Sequence, residues 1–432
     1  MLAEQGVGVM RRISARLSKM AAPAVVMVAV LGLAHASPSM AEDRPAASPE
    51  EVGLSAGQLE TLDTVMHRYV DEGAVGGVVT LVARRGKIAH FDAYGWADRE
   101  TQQPMQQDTV VRMFSMTKPI ASVALLMLYE EGKFQLTDPL EKHIPEFADV
   151  KVFAGRDASG NMILEEPRRK PTIQDVFRHT AGFTYGDFGD DELNARYGAE
   201  RINQMSQAEF VKALASYPLA YHPGEQWIYS VSHDVQASLV EHFSGMSFAD
   251  FVQTRIFEPL HMTSSYFGQP VERPENYATL YTKDEAGRVV PVAWDVQPRY
   301  GSAVLGGSGL SSNARDYLQF AQMLLNGGEL DGTRLLNPKT VEFMTTNHVP
   351  EGVAVGDYKG RGYGLGVEVV TDPSQYGLPL SVGQYGWSGA ATTYFAVDPK
   401  EDMVTILITQ IRPMNLDLWA DFITLTHLAV MD

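Results

Sequence analysis

Strand-like patterns sit at the two ends of this chain, and the long middle carries almost none. Near the N-terminus V-V-T-L-V-A (Val78 to Ala83) and I-A-H-F-D-A-Y (Ile88 to Tyr94) flank R-R-G-K, which predicts two strands joined by a glycine turn. The C-terminal third returns to strands with Y-G-L-G-V-E-V-V (Tyr363 to Val370), T-T-Y-F-A-V-D (Thr392 to Asp398) and M-V-T-I-L-I-T-Q (Met403 to Gln410), and the last 20 or so residues read as helix. Residues 135–290 hold short helical patterns, prolines and acidic loops. The economical solution is a discontinuous α/β domain, 49–134 with 291–432, and an inserted, mostly helical domain at 135–290.

Helix signals bracket the first hairpin. Ser55 with Gln58 reads as a capping box, followed by Leu59, Leu62, Val65, Met66, Tyr69 and Val70 at helical spacing. Ala121 to Glu131 is strongly helical and stops at Gly132. The acidic run D-F-G-D-D-E (Asp187 to Glu192) reads as a solvated loop.

Residues 1–41 have a different character. Arg11, Arg12, Arg16 and Lys19 precede the apolar run Ala21 to Ala34, and A-H-A (Ala34 to Ala36) and S-M-A (Ser39 to Ala41) follow as candidate cleavage sites. That order of charge, apolar run and small residues predicts a secretory signal peptide and export to a periplasm or beyond. The run is short for a membrane span, so no stable span is expected once the signal is cleaved.

Composition excludes several classes of chemistry. Formal net charge is −18, which argues against nucleic acid and anionic membranes as partners. With no cysteine there is no disulfide and no thiolate nucleophile or ligand. The 11 histidines are scattered and none forms H-E-x-x-H, so neither a metal nor another cofactor is expected. No motif specifies an oligomeric state.

Three stretches could carry chemistry. F-S-M-T-K-P-I places Ser115 one helical turn before Lys118, where free N–H groups favour developing negative charge and a lysine can relay a serine proton. A helix cap beside a surface lysine would give the same letters. P-G-E-Q-W-I-Y-S offers Tyr229 as a base, although most tyrosines are merely buried and hydrogen-bonded. Y-G-W-S-G-A-A-T-T-Y-F-A-V-D-P (Tyr385 to Pro399) offers a glycine-bearing strand edge able to bind an acyl group through its backbone. Ser388 within it lacks the full G-x-S-x-G elbow and is a poor candidate nucleophile.

In this order and spacing the three stretches resemble the serine β-lactamase and penicillin-binding-protein superfamily, and are most similar to class C β-lactamases and family VIII carboxylesterases. R-H-T-A-G (Arg178 to Gly182), G-G-S-G-L-S-S-N-A-R-D-Y (Gly306 to Tyr317), L-L-N-G-G (Leu324 to Gly328) and V-D-P (Val397 to Pro399) extend the likeness over roughly residues 49–430. It implies an antiparallel sheet flanked by helices with a mostly helical second domain. It implies Ser115 as the acylated nucleophile, Lys118 as its proton partner, Tyr229 as general base, and the N–H groups of Ser115 and Ala390 as the oxyanion hole. Trp387, Ser388 and Gly389 would line the substrate, while His179 would brace a turn.

Two departures bear on the substrate. Where penicillin-recognising members carry Lys-Thr-Gly, this chain has Trp387-Ser388-Gly389, which replaces a charge with an aromatic surface. Where class C enzymes follow the tyrosine with Ala-Asn, it has Ser230-Val231 and no amide donor. Both point to a small neutral ester and a short-chain serine carboxylesterase, with weak cephalosporin turnover compatible. The rival readings are a β-lactamase or D,D-peptidase and, outside catalysis, a penicillin-binding-like sensor.

Overall fold

The computed structural model describes residues 46–186, 193–195, 197, 205–268, 274–293, 305–356 and 359–432, within the compact unit Asp43–Asp432. The signal-peptide expectation and the D-F-G-D-D-E loop lie outside the described residues. Strands of the large sheet are β1 (Gly77–Arg84), β2 (Lys87–Asp98), β3 (Gln103–Pro104), β4 (Arg361–Tyr363), β5 (Glu368–Val370), β6 (Tyr385–Gly389), β7 (Thr393–Asp398) and β8 (Met403–Ile408). They lie in the order β4-β5-β6-β7-β8-β1-β2-β3, every neighbouring pair antiparallel. The helices used below are α1 (Ala56–Asp71), α2 (Thr117–Glu130), α3 (Ile173–Phe177), α4 (Ser232–Ser244), α5 (Ala314–Leu325) and α6 (Leu416–Leu428).

The two chain ends meet in the middle of the sheet, where β1 runs along β8 with Val79 opposite Ile408 and Leu81 opposite Ile406. Both strands are buried along their whole length, so alternate side chains feed two different cores. Val79, Leu81 and Ala83 join Val404, Ile406 and Ile408 on the face covered by α2 and α5. Val78 and Val82 join Met403 and Leu407 on the other face, against Leu59, Leu62 and Met66 of α1 and Leu418, Phe422 and Ile423 of α6. The result is a three-layer sandwich. No helix among the described residues is long and apolar enough to cross a membrane.

The local signals at the helix ends hold in part: the expected capping box at Ser55 forms only its forward bond, because the Ser55 N–H donates to the Ala429 carbonyl (2.8 Å) instead of to Gln58. Ser55 Oγ accepts the Gln58 N–H at 3.3 Å to open α1. Helix α2 ends with Gly132 left-handed at φ 74°. One expectation needs correcting: Tyr363 to Val370 is not one strand but the hairpin β4–β5, with Tyr363 opposite Glu368. The chain reverses at Gly366 (φ 98°), where a Cβ would stand 2.0 Å from Ser122 Oγ of α2. The glycine permits both the turn and the close approach to the helix.

A buried carboxylate holds the turn that leads from α3 into the site. Asp175 is fully buried and accepts from Arg169, from Arg178 at 2.9 Å, from the Thr172 N–H at 2.9 Å and from Thr180 Oγ1 at 2.8 Å. Burial raises its pKa, but Arg169 and these donors outweigh it and hold the carboxyl at about 2. Since this lies below the ordinary 3.8, its stabilising contribution is present above 3.8 and is lost as pH falls towards 2. Asp175→Ala should cost about 3–5 kcal/mol in urea unfolding at neutral pH, because it strands the guanidinium groups. Wild type should lose its margin over Asp175→Asn between pH 3.8 and about 2.

Candidate active site

Ser115 stands in a single 3-10 turn, Phe114–Met116, that runs directly into α2. It is therefore not a side-chain cap, and Lys118 is the second residue of the helix proper. The turn is clamped on several sides: Met113 N–H donates to the Leu310 carbonyl (2.9 Å), Thr117 Oγ1 to the Phe114 carbonyl (2.6 Å) and Tyr317 OH to the Met116 carbonyl (2.7 Å). Phe114 is held left-handed at φ 47°, a strained conformation for an aromatic residue that these contacts sustain. Ser115 is half-buried while its immediate neighbours are buried, so the clamp presents this one side chain. Pro119 falls in the first turn of α2, where no intrahelical acceptor exists for the N–H it lacks.

Lys118 is fully buried, and its Nζ donates to the Gly307 carbonyl (2.8 Å), Tyr185 OH (3.1 Å) and Ser115 Oγ (3.2 Å). Its ammonium also lies 4.4 Å from the ring centroid of Tyr229, over the face of the ring. A buried ammonium needs this company, because desolvation without partners is costly. The structure thus brings Ser115, Lys118 and Tyr229 together. The hydroxyl of Tyr229, however, accepts from Trp387 Nε1 at 3.4 Å, and the tyrosine hydroxyl that Lys118 contacts belongs to Tyr185. Tyr185 is absent from the sequence-derived candidates, although it stands in the same R-H-T-A-G-F-T-Y stretch as His179. Only the fold aims it at the lysine.

His179 behaves as a brace. It is fully buried and left-handed at φ 58°, its Nδ1 is paired with Ser230 Oγ at 3.0 Å, and Tyr221 OH donates to its carbonyl. Burial, then the field of Lys118, holds its pKa well below the ordinary imidazole value, so it is neutral. Ser230 passes the contact on to Ser232 at 2.8 Å, while Val231 is buried in the core.

Strand β6 forms the other wall. It pairs with β7 along all five residues, but β5 reaches only Tyr385 and Gly386, leaving the edge from Trp387 to Gly389 open on that side. Gly389 lies against the nucleophile turn, where a Cβ would come 2.3 Å from the Met113 carbonyl oxygen. Next to it Ala390 packs with Phe114 and Ala391, so the backbones of Ser115 and Ala390 are carried by touching segments. Trp387 turns towards the site and packs on Tyr229 (5.6 Å between centroids) and Tyr363 (5.2 Å). Ser388 points to the opposite face, where it lines a cleft with Arg361, Glu368 and Tyr376. Among the described residues, the group able to hold a cation jointly is Asp63, His67 and Asp92 between α1 and β2, where His67 and Asp92 already pair at 2.7 Å.

Comparison with known proteins bears on the family and the fold. A family model described as Beta-lactamase matches residues 62–427. Protein Rv1367c of Mycobacterium tuberculosis is 33% identical over 358 residues, covering 79% of this chain and 88% of that protein. Esterase EstB of Burkholderia gladioli is 29% identical, covering 84% and 93%. Among solved structures, EstCE1, described as a hydrolase with promiscuous acyltransferase activity, superposes with a TM-score of 0.72 at 23% identity, covering 86% of this chain and 98% of its own. Simvastatin synthase (LovD) from Aspergillus terreus, unliganded and as its selenomethionyl derivative, gives 0.75 at 23% identity over 86% and 98%.

Proposed function

The chain belongs to the Beta-lactamase family, with an esterase among its relatives and a β-lactamase-like fold, and we propose that this member is a serine carboxylesterase of the family VIII type acting on short-chain neutral esters. The observation that carries the reading is the contact of buried Lys118 Nζ with Ser115 Oγ at 3.2 Å, beside an aromatic wall headed by Trp387. In the first step Ser115 Oγ bonds to the ester carbonyl carbon and gives its proton to the Tyr229–Lys118 pair. The developing oxyanion is met by the N–H groups of Ser115 and Ala390. The alcohol leaves with that proton, and water, deprotonated by the same pair, releases the acid and frees the serine.

Trp387 sets the substrate class in this reading. It offers the substrate an apolar, uncharged surface, and its indole N–H is turned to Tyr229 rather than to an incoming carboxylate. Wild type should therefore hydrolyse a short-chain nitrophenyl ester with higher kcat/KM than a chromogenic cephalosporin. The reverse order would replace the esterase reading by the β-lactamase one. Trp387→Lys should raise the cephalosporin-to-ester ratio of kcat/KM by about tenfold, the value of one added charge contact. An unchanged ratio would mean that this position does not choose the substrate.

A second reading, transfer of the acyl group to an alcohol instead of water, is favoured by the acyltransferase activity described for EstCE1. Adding a short primary alcohol and assaying for the new ester separates the two. Export remains part of the proposal through residues 1–41, and N-terminal sequencing of mature protein from a periplasmic extract tests it.

A further inference from the structure

Asp234 lies in the first turn of α4, five residues beyond Tyr229, and is 3% exposed. Its Oδ1 accepts the backbone N–H of Gly307 at 2.9 Å, and the carbonyl of that same glycine accepts from Lys118 Nζ at 2.8 Å. One residue thus has its N–H on a buried carboxylate and its carbonyl on the buried lysine. There is no slack around it: a Cβ on Gly307 would stand 2.8 Å from both Asp234 Oδ2 and Tyr185 OH, and one on Gly306 would stand 2.2 Å from the His233 carbonyl oxygen.

We propose that Asp234 is a positioning residue for acylation, fixing Gly307 so that its carbonyl holds Lys118 Nζ at Ser115 and supplying the buried negative charge that the lysine answers. This rests on Ser115 being the acylated nucleophile. Burial pushes the Asp234 carboxyl up to about 6, and the field of Lys118 and the N–H of Gly307 act against that rise. The other groups facing Lys118 are the hydroxyl of Tyr185, the ring of Tyr229 and the imidazoles of His179 and His233. Both imidazoles are neutral, held well below their ordinary range by burial first and by Lys118 among the other causes. Among the described residues facing Lys118, Asp234 is the one carboxylate. A direct bidentate salt bridge would take two of the ammonium's three hydrogens for the carboxylate. Acting across a peptide, Asp234 takes one through the Gly307 carbonyl and leaves two for Ser115 and Tyr185.

The test is the pH dependence of Ser115 labelling by a fluorophosphonate, which reads the nucleophile without needing its natural ester, with thermal unfolding followed alongside. Asp234→Asn keeps an oxygen for Gly307 and removes the negative charge behind the acylating groups, so the acidic limb of labelling should move down by about one pH unit. Asp234→Ala also removes the acceptor, and should lower kcat about 100-fold with KM changed less than about threefold, the signature of a displaced group rather than lost binding. A folded Asp234→Asn protein with the wild-type limb overturns the proposal, and so does a pair of variants that both fail to fold, since that assigns Asp234 to stability alone. Absence of labelling in wild type would instead overturn the acyl-serine reading itself, and the two failures are told apart by that control.

Discussion

Ser115→Ala should lower kcat for a short-chain nitrophenyl ester by at least about 10⁴-fold, since removing a nucleophile leaves only binding and oxyanion stabilisation. The fold should not notice. Ser115 is half-exposed, its contact with Lys118 is a long 3.2 Å, and the turn that holds it is secured through Met113, Phe114 and Met116. Thermal unfolding should accordingly stay within about 2 °C of wild type, as for substitutions that leave core packing untouched. Labelling by the fluorophosphonate should disappear together with turnover. Hydrolysis persisting at the wild-type rate would remove Ser115 from the mechanism and reopen the choice of nucleophile.

Lys118→Met carries the second large effect, and here stability changes along with activity. Loss of the proton partner should reduce kcat about 10³-fold, within the range for acid–base groups. Yet the substitution also removes an ammonium that is wholly buried at the start of α2. Methionine fills similar space without that desolvation cost, while the Gly307 carbonyl loses a hydrogen bond worth about 1–3 kcal/mol when left unfilled. The two terms are of similar size and opposite sign. The buried Asp234 carboxylate also loses its counter-charge, so urea unfolding at neutral pH should show Lys118→Met less stable than wild type by about 1–3 kcal/mol, a margin that shrinks as pH falls below about 6 and Asp234 takes up its proton in wild type too. A variant that is both inactive and severely unstable would mark the lysine as a structural pillar.

Much of this could be read in advance wherever the cause was local. The β1–β2 hairpin followed from two β-rich runs around a glycine turn, and α1 from Ser55 and the spacing of Leu59, Leu62 and Met66. Strands β7 and β8 followed from short apolar runs, and Ser115 with Lys118 from a spacing that the helix start makes meaningful. What escaped was decided across the fold. Tyr363 to Val370 alternates well enough for one strand, but Ser122 on a distant helix leaves room only for glycine at 366, and the chain turns back there. Tyr185 and Asp234 carry no motif that names them, and Gly307 lies in the Gly306 to Tyr317 stretch without being singled out by it. They matter because three separated segments converge on one ammonium, and convergence has no local signature. Tyr229 lies between these cases: its stretch was visible, but the tryptophan that its hydroxyl meets comes from β6.

The adjacency of β1 and β8 has a consequence for the chain while it is being made. Ser115 and Lys118 leave the ribosome long before β6, which leads into Ala390, and before β8, which supports one side of β1. Pairings so distant in sequence form late, after the entropy of closing a very long loop has been met. A polypeptide ending before Thr393 would keep the segments that clamp Ser115 but lack β7 and β8, the strands that join β6 to β1 in the sheet. Loss of β8 alone should therefore abolish turnover although Ser115 and Lys118 are both retained.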